Sequence, residues 1–153
     1  MKISKLIKIY ILEILKEDFD YRVQHTAPDH HYGCPLYDLT LNGIYPKDVY
    51  DNLSHYSDGV SRYDVDSLPK VKLHRNKPDS LVTVYRAIPK DLSKEESKIN
   101  IGDWVTTSLN YAKDHASDLE GPGKHGKIVS KKVPAKNLWT DGNSLSEWGY
   151  EGS

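Results

Sequence analysis

Apolar and polar positions change rhythm twice along this chain. Between residues 3 and 18, Ile3, Leu6, Ile7, Tyr10, Ile11, Ile14 and Leu15 recur at three- and four-residue spacing, with lysines and glutamates between them. That repeat predicts an amphipathic helix covering a core face, ended by the turn Asp18-Phe19-Asp20. The rhythm then fades. Residues 21–26 predict a short extended piece around Val23, and Pro28, Gly33, Pro35, Gly43 and Pro46 punctuate the loop-rich stretch after it. Pro46, followed by Asp48 and Tyr50, suits a helix start and predicts a short helix over 46–53. Residues 55–79 are dense in Ser and Asp and predict surface loop with a broken helix or two.

From residue 81 the pattern becomes that of strands. Leu81 to Ile88 is β-branched and apolar, bounded by Asp79-Ser80 and Pro89, and predicts a buried strand. Gly102-Asp103 leads into a second strand over 104–107. Ser108 is placed to cap a helix over 109–119 with Tyr111, Ala112, His115 and Ala116 on one side, stopped by Gly121-Pro122-Gly123. Residues 127–133 alternate as a strand, and 138–139 and 147–150 are short extended pieces around a turn at 141–143. No repeat and no Gly/Ser linker divides the chain. The prediction is one α+β domain over 1–153, helical and loop-rich in 1–80 and strand-rich in 81–153.

Composition narrows the function classes. Of 153 residues 37% are hydrophobic, enough for one sizeable core, and 21 basic against 22 acidic residues leave a net charge of −1. That balance excludes a polycationic nucleic-acid binder and an acidic disordered tail. The single Cys34 excludes an internal disulfide framework and fits a reducing compartment. The longest uncharged run near the start, residues 9–12, is closed by Glu13 and is too short for a signal peptide. No stretch approaches the roughly 18 apolar residues of a membrane span. The expectation is a cytoplasmic protein with no membrane partner. Eleven Tyr and three Trp against one Phe favour half-wet positions such as clefts.

Four features carry candidate chemistry. Arg86 lies inside an apolar strand, where a guanidinium is costly unless paired. Either a structural carboxylate or an anionic ligand held in bidentate geometry answers it. Thr106, Thr107 and Ser108 bring three hydroxyls to a strand-to-helix junction, where they can cap the helix or present it to an anion or polar ring. Glu147 stands among Trp, Gly and Tyr and can stabilise a developing cation, whereas Glu151 is expected to fray. His25, His30, His31 and Cys34 match no tight zinc spacing and lack a Cys-x-x-Cys knuckle, so no metal is expected. His115 reads as a helix-face histidine rather than a catalytic base.

The order Val-Tyr-Arg86, then Gly-Asp-Trp-Val-Thr106-Thr107-Ser108, then Glu147 resembles the arginine / Ser-Thr-Ser / glutamate signature of mono-ADP-ribosyltransferases. The match is strongest over residues 101–116, IGDWVTTSLNYAKDHA, and KIVSKKVPAKNLW looks like the family's next strand. The whole chain looks like the small ADP-ribosyltransferase-like domains that bacteriophages encode, which implies an anti-defence or host take-over role. Motif support covers roughly 81–151.

The resemblance implies a split β-sandwich-like fold, two small sheets around an NAD cleft with an N-terminal helix. It implies NAD as substrate, a macromolecular acceptor (most simply a protein, with nucleic acid open), and release of nicotinamide. Carried over by position, Arg86 grips the NAD phosphates or the nicotinamide ribose, and Thr106, Thr107 and Ser108 form the cleft wall and orient Glu147. Glu147 binds the ribose hydroxyl and stabilises the oxocarbenium-like transition state, while Tyr111 or Trp148 stacks on nicotinamide. There are departures. Thr106 stands where the family has Ser, and Leu145 stands where arginine-directed members have Gln or Glu, which argues against a guanidinium acceptor. The interval from Arg86 to Thr106 is short, and a second registration places Arg22 and His25 of the 21–26 strand in the first motif position. Two other functions stay open: an NAD glycohydrolase with water as acceptor, and a non-catalytic module that binds a host defence protein.

Overall fold

The computed structural model describes residues 27–118 and 126–152. The helix expected over 3–18, the strand over 21–26 with Arg22 and His25, and the stop at 121–123 lie outside these residues. Six strands among these residues form a single sheet: β1 (Cys34–Pro35), β2 (Leu81–Ile88), β3 (Trp104–Thr106), β4 (Lys127–Pro134), β5 (Leu138–Thr140) and β6 (Glu147–Tyr150). Their order is β1-β5-β6-β3-β2-β4, and every neighbouring pair is antiparallel. Among the described residues three α-helices complete the α+β architecture: α1 (Leu53–Tyr56), α2 (Ser61–Leu73) and α3 (Leu109–Asp118). None of the described helices is long and apolar enough to cross a membrane.

The sheet corrects the expectation of two separate sheets. β2 and β4 pair along their whole length, from Leu81 opposite Pro134 to Ile88 opposite Lys127. β3 pairs with β6 through Trp104–Gly149, Val105–Trp148 and Thr106–Glu147. Between these two ladders a single pair, Tyr85 with Thr106, joins β2 to β3.

Alternation in β2 buries Val82 and Val84 and turns Leu81 outward, the period of a strand with one covered face. They share a core with Leu36, Leu39, Val71, Val105, Val133, Leu138, Leu145 and Trp148. β6 lies close under the incoming chain. A Cβ on Gly149 would stand 2.1 Å from the Pro28 carbonyl oxygen, so only glycine permits that approach.

Helix α2 is the largest departure from the sequence reading, which placed loop with broken helices at 55–79. It runs thirteen residues with Pro69 inside. Proline there leaves the Val65 carbonyl without its helical donor, and Val65 is exposed to water, which can replace it. Only Ser67 and Val71, four apart, are fully buried on this helix. The short helix expected over 46–53 is instead a 3₁₀ turn, Val49–Asp51, followed by α1.

Candidate functional site

The geometry of the site follows from the single pair that joins β2 to β3. Continued by register, Arg86 would face Val105 and Ala87 would face Trp104. Instead these four, with Tyr85, Thr106, Tyr111, Ala112, His115 and Glu147, line a cleft of about 120 Å³. On the other side of the pair, Lys70 of α2 closes the gap. Its Nζ donates to the Thr107 carbonyl at 2.7 Å and the Thr83 carbonyl at 3.3 Å, and burial holds this ammonium below its ordinary pKa. One lysine thus takes over the ladder that the strands abandon.

Arg86 and Glu147 come from different ladders and meet on the walls of this cleft. Both are half-exposed. Arg86 gives Nη1 to Asp103 Oδ2 at 2.8 Å, so a structural carboxylate does answer its charge. The same Asp103 oxygen accepts the Asn100 backbone N–H at 2.8 Å, which fixes the turn before β3. Asp103 passed in the sequence as a lead-in to the strand, and nothing local marks it as the partner of Arg86.

The three hydroxyls divide their work. Thr106 is on the cleft wall. Its Oγ1 donates to the Ser146 carbonyl at 2.5 Å and accepts the Ser108 N–H at 3.0 Å, so it fixes the backbone directly before Glu147. The sequence reading put Thr107 and Ser108 on the wall as well. The structure turns both hydroxyls to α2: Thr107 Oγ1 bonds Ser67 Oγ at 3.0 Å, and Ser108 Oγ donates to Asp66 Oδ2 at 2.8 Å. Ser108 caps α3 as expected, its Oγ accepting the Tyr111 N–H at 3.1 Å. Asp66 accepts the Asn110 N–H and side-chain amide, each at 3.2 Å. The helix start is therefore answered by the chain's own carboxylate rather than presented to the cleft.

Tyr111 lines the cleft, stacked on His115 with ring centroids 4.3 Å apart. Burial first, then the charge of Glu147 and a hydrogen bond to it, raise its phenol well above the ordinary range. The structure thus brings Tyr111 to Glu147 and His115 to the cleft. Trp148 goes elsewhere. It is fully buried in the core with its Nε1 donating to the Leu145 carbonyl, so it cannot stack on a ligand. Leu145 is also buried, which leaves no polar group two residues before Glu147.

The remaining candidates gather away from the cleft. Glu151 does not fray: its N–H donates to the Asn137 carbonyl at 2.8 Å and its carboxylate takes the His30 backbone N–H at 2.7 Å and the His30 Nδ1. Cys34 is buried in β1, where burial pushes its thiol up to about 12. No model of a known protein family, no curated protein and no solved structure matches this chain, so the cleft between the two ladders is read from its own geometry.

Proposed function

We propose that the cleft receives the nicotinamide–ribose end of NAD and that the chain is an ADP-ribosyltransferase acting on a macromolecule. The observation that carries this reading is the placement of Arg86 and Glu147, opposite in charge, on two separately anchored strands facing one cleft. In the reaction the bond between nicotinamide and ribose C1 breaks, and nicotinamide leaves as a neutral ring with the electron pair. An acceptor nucleophile bonds C1 and releases its proton to water. Because the leaving group departs neutral, no proton needs to be supplied to it. The demand is for negative charge beside the developing oxocarbenium ion, which Glu147 offers, and for a grip on the phosphates, which Arg86 offers.

Size supports a partial enclosure. Sites that enclose whole drug-sized ligands run about 300–1,000 Å³, so 120 Å³ takes one end of the dinucleotide and leaves the rest across the surface. The Tyr111–His115 stack gives that end an aromatic wall. Thr106 and, through α2, Thr107 and Ser108 serve as positioning residues. The apolar Leu145 favours acceptors other than guanidinium: a different protein side chain in a host cell, nucleic acid, or water. The last is the glycohydrolase reading.

The test is nicotinamide release by the purified chain, with and without a host-cell lysate, beside Glu147→Gln. Release that needs lysate and falls about 10²–10³-fold in the variant, with melting unchanged, supports the transferase. Release without lysate gives the glycohydrolase. No release, with no heat shift on adding NAD, overturns the enzymatic reading and leaves a binding module whose effect survives Glu147→Gln.

A further inference from the structure

The sequence reading dismissed the histidines at 30 and 31 because their spacing fits no zinc knuckle, but Asp29 stands directly before them and the fold brings Glu151 to His30 from 121 residues away. We propose that Asp29, His30 and His31 form a site for a borderline divalent transition metal such as zinc(II), held in shape by Glu151. One ligand atom from each of Asp29, His30 and His31 lies within 4.8 Å of the other two. Around a tetrahedral zinc with bonds of about 2.0–2.2 Å, ligand atoms stand roughly 3.3–3.6 Å apart. No pair need close by more than about 1.5 Å to reach that spacing. The two histidines are more than half exposed and Asp29 is 40% exposed, so side-chain rotation alone can close it.

Both imidazoles are already oriented. Their rings lie 3.9 Å apart at a 35° tilt. Each Nδ1 stands against a carboxylate: His30 against Glu151, and His31 against Asp29 Oδ1 at 3.0 Å. Glu151 accepting from His30 Nδ1–H leaves the Nε2 lone pair of that ring outward, the arrangement in which histidine ligates metals, whereas His31 Nδ1 and Asp29 Oδ1, 3.0 Å apart, already stand near the spacing of two ligands on one ion. The backbone holds these pairs in place. Asp29 Oδ1 also accepts the His31 N–H at 2.8 Å, and Glu151 accepts the His30 N–H. The other Asp29 oxygen takes no bond among the described residues.

The donor set names the metal class. Imidazole nitrogen and carboxylate oxygen without thiolate suit zinc, cobalt and nickel, whereas magnesium and calcium prefer oxygen alone. Glu151 and His30 also border an open groove of about 410 Å³ beside Trp139, and no residue of that groove lines the Arg86–Glu147 cleft. The metal is therefore a tie between the 29–31 turn and the end of β6, independent of the NAD reading.

The experiment uses the full chain, freed of any affinity tag and of metal. Cobalt(II) is added while its visible d–d bands are followed, and zinc(II) is then used to displace it. The same titrations are run on His30→Ala, His31→Ala and Glu151→Gln, with melting curves for each metal-free variant. The proposal expects one equivalent bound with micromolar affinity, zinc displacing cobalt, and at least a tenfold loss in each histidine variant. For Glu151→Gln it expects a loss of about 10–100-fold, as for other residues that orient a ligand. Absence of cobalt bands, an equal response to magnesium, or binding undiminished in both histidine variants with unchanged melting would overturn it.

Discussion

Thr106 carries two burdens that one pair of substitutions separates. Its hydroxyl accepts the Ser108 N–H and donates to the Ser146 carbonyl, and all three residues are buried. Thr106→Val keeps the shape and removes both bonds. The Ser108 N–H then loses its partner, a cost of about 1–3 kcal/mol for a buried unsatisfied donor. The Ser146 carbonyl still accepts from the Thr107 N–H at 3.3 Å, so its loss is nearer the net worth of one bond, about 0.5–1.5 kcal/mol. The expected total is about 2–4 kcal/mol. Thr106→Ser keeps the hydroxyl and removes one buried methyl, worth about 1 kcal/mol. Urea unfolding followed by tryptophan fluorescence, with the slope against urea unchanged, measures both. A serine variant as unstable as the valine variant would refute the reasoning, because the methyl rather than the hydroxyl would then hold the strand junction.

Two further predictions concern the core. Burial raises the Cys34 thiol from 9.0 in the unfolded reference to about 12, so the folded state favours the protonated form. Its contribution is complete below about pH 9 and is lost as pH rises toward 12, falling by about 1 kcal/mol between pH 9 and 10. Unfolding measured at pH 8, 9 and 10 should show this slope in the parent and lose it in Cys34→Ala; an equal slope in both would assign it elsewhere. Gly149→Ala drives a Cβ into the Pro28 backbone and should cost about 1–3 kcal/mol, lowering the melting temperature by roughly 2–12 °C. An unchanged melting curve would show that the 28–149 approach is not maintained in solution.

The strand-rich half was legible because its signals are local. A β-branched run between Ser80 and Pro89 leaves little choice, and the structure places β2 at Leu81–Ile88. Ser108 likewise announces the start of α3. Helix α2 was not legible, because it is docked through polar groups rather than an apolar stripe. Asp66 reaches Ser108, Ser67 reaches Thr107, Lys70 reaches two carbonyls, and Arg62 and Tyr63 both reach Asp114. Hydrophobic periodicity cannot register such contacts. The same holds for the site. Arg86 and Glu147 stand out as charges in apolar segments, but Asp103 looks like any turn aspartate. Glu151 finds its partner His30 at a separation of 121 residues, which no spacing rule anticipates. Trp148 was misplaced for the converse reason: an amphipathic ring reads as a cleft residue until the fold shows its indole N–H satisfied inside the core.

The one-pair junction between β2 and β3 also decides how the sheet can move. Sliding β2 against β4 would break a ladder that runs the full length of both strands, whereas rotating that ladder away from β3 disturbs one pair, the two bonds of Lys70 and the Arg86–Asp103 ion pair. Thermal motion therefore concentrates along a single line of weakness, and the cleft lies on that line. Amide protons of Tyr85 and Thr106 should exchange with solvent sooner than those at the centre of the β2–β4 ladder, such as Val84 and Lys131. Opening along that line would carry Arg86 and Glu147 apart on separate ladders, and the Arg86–Asp103 bond is the latch it would have to release.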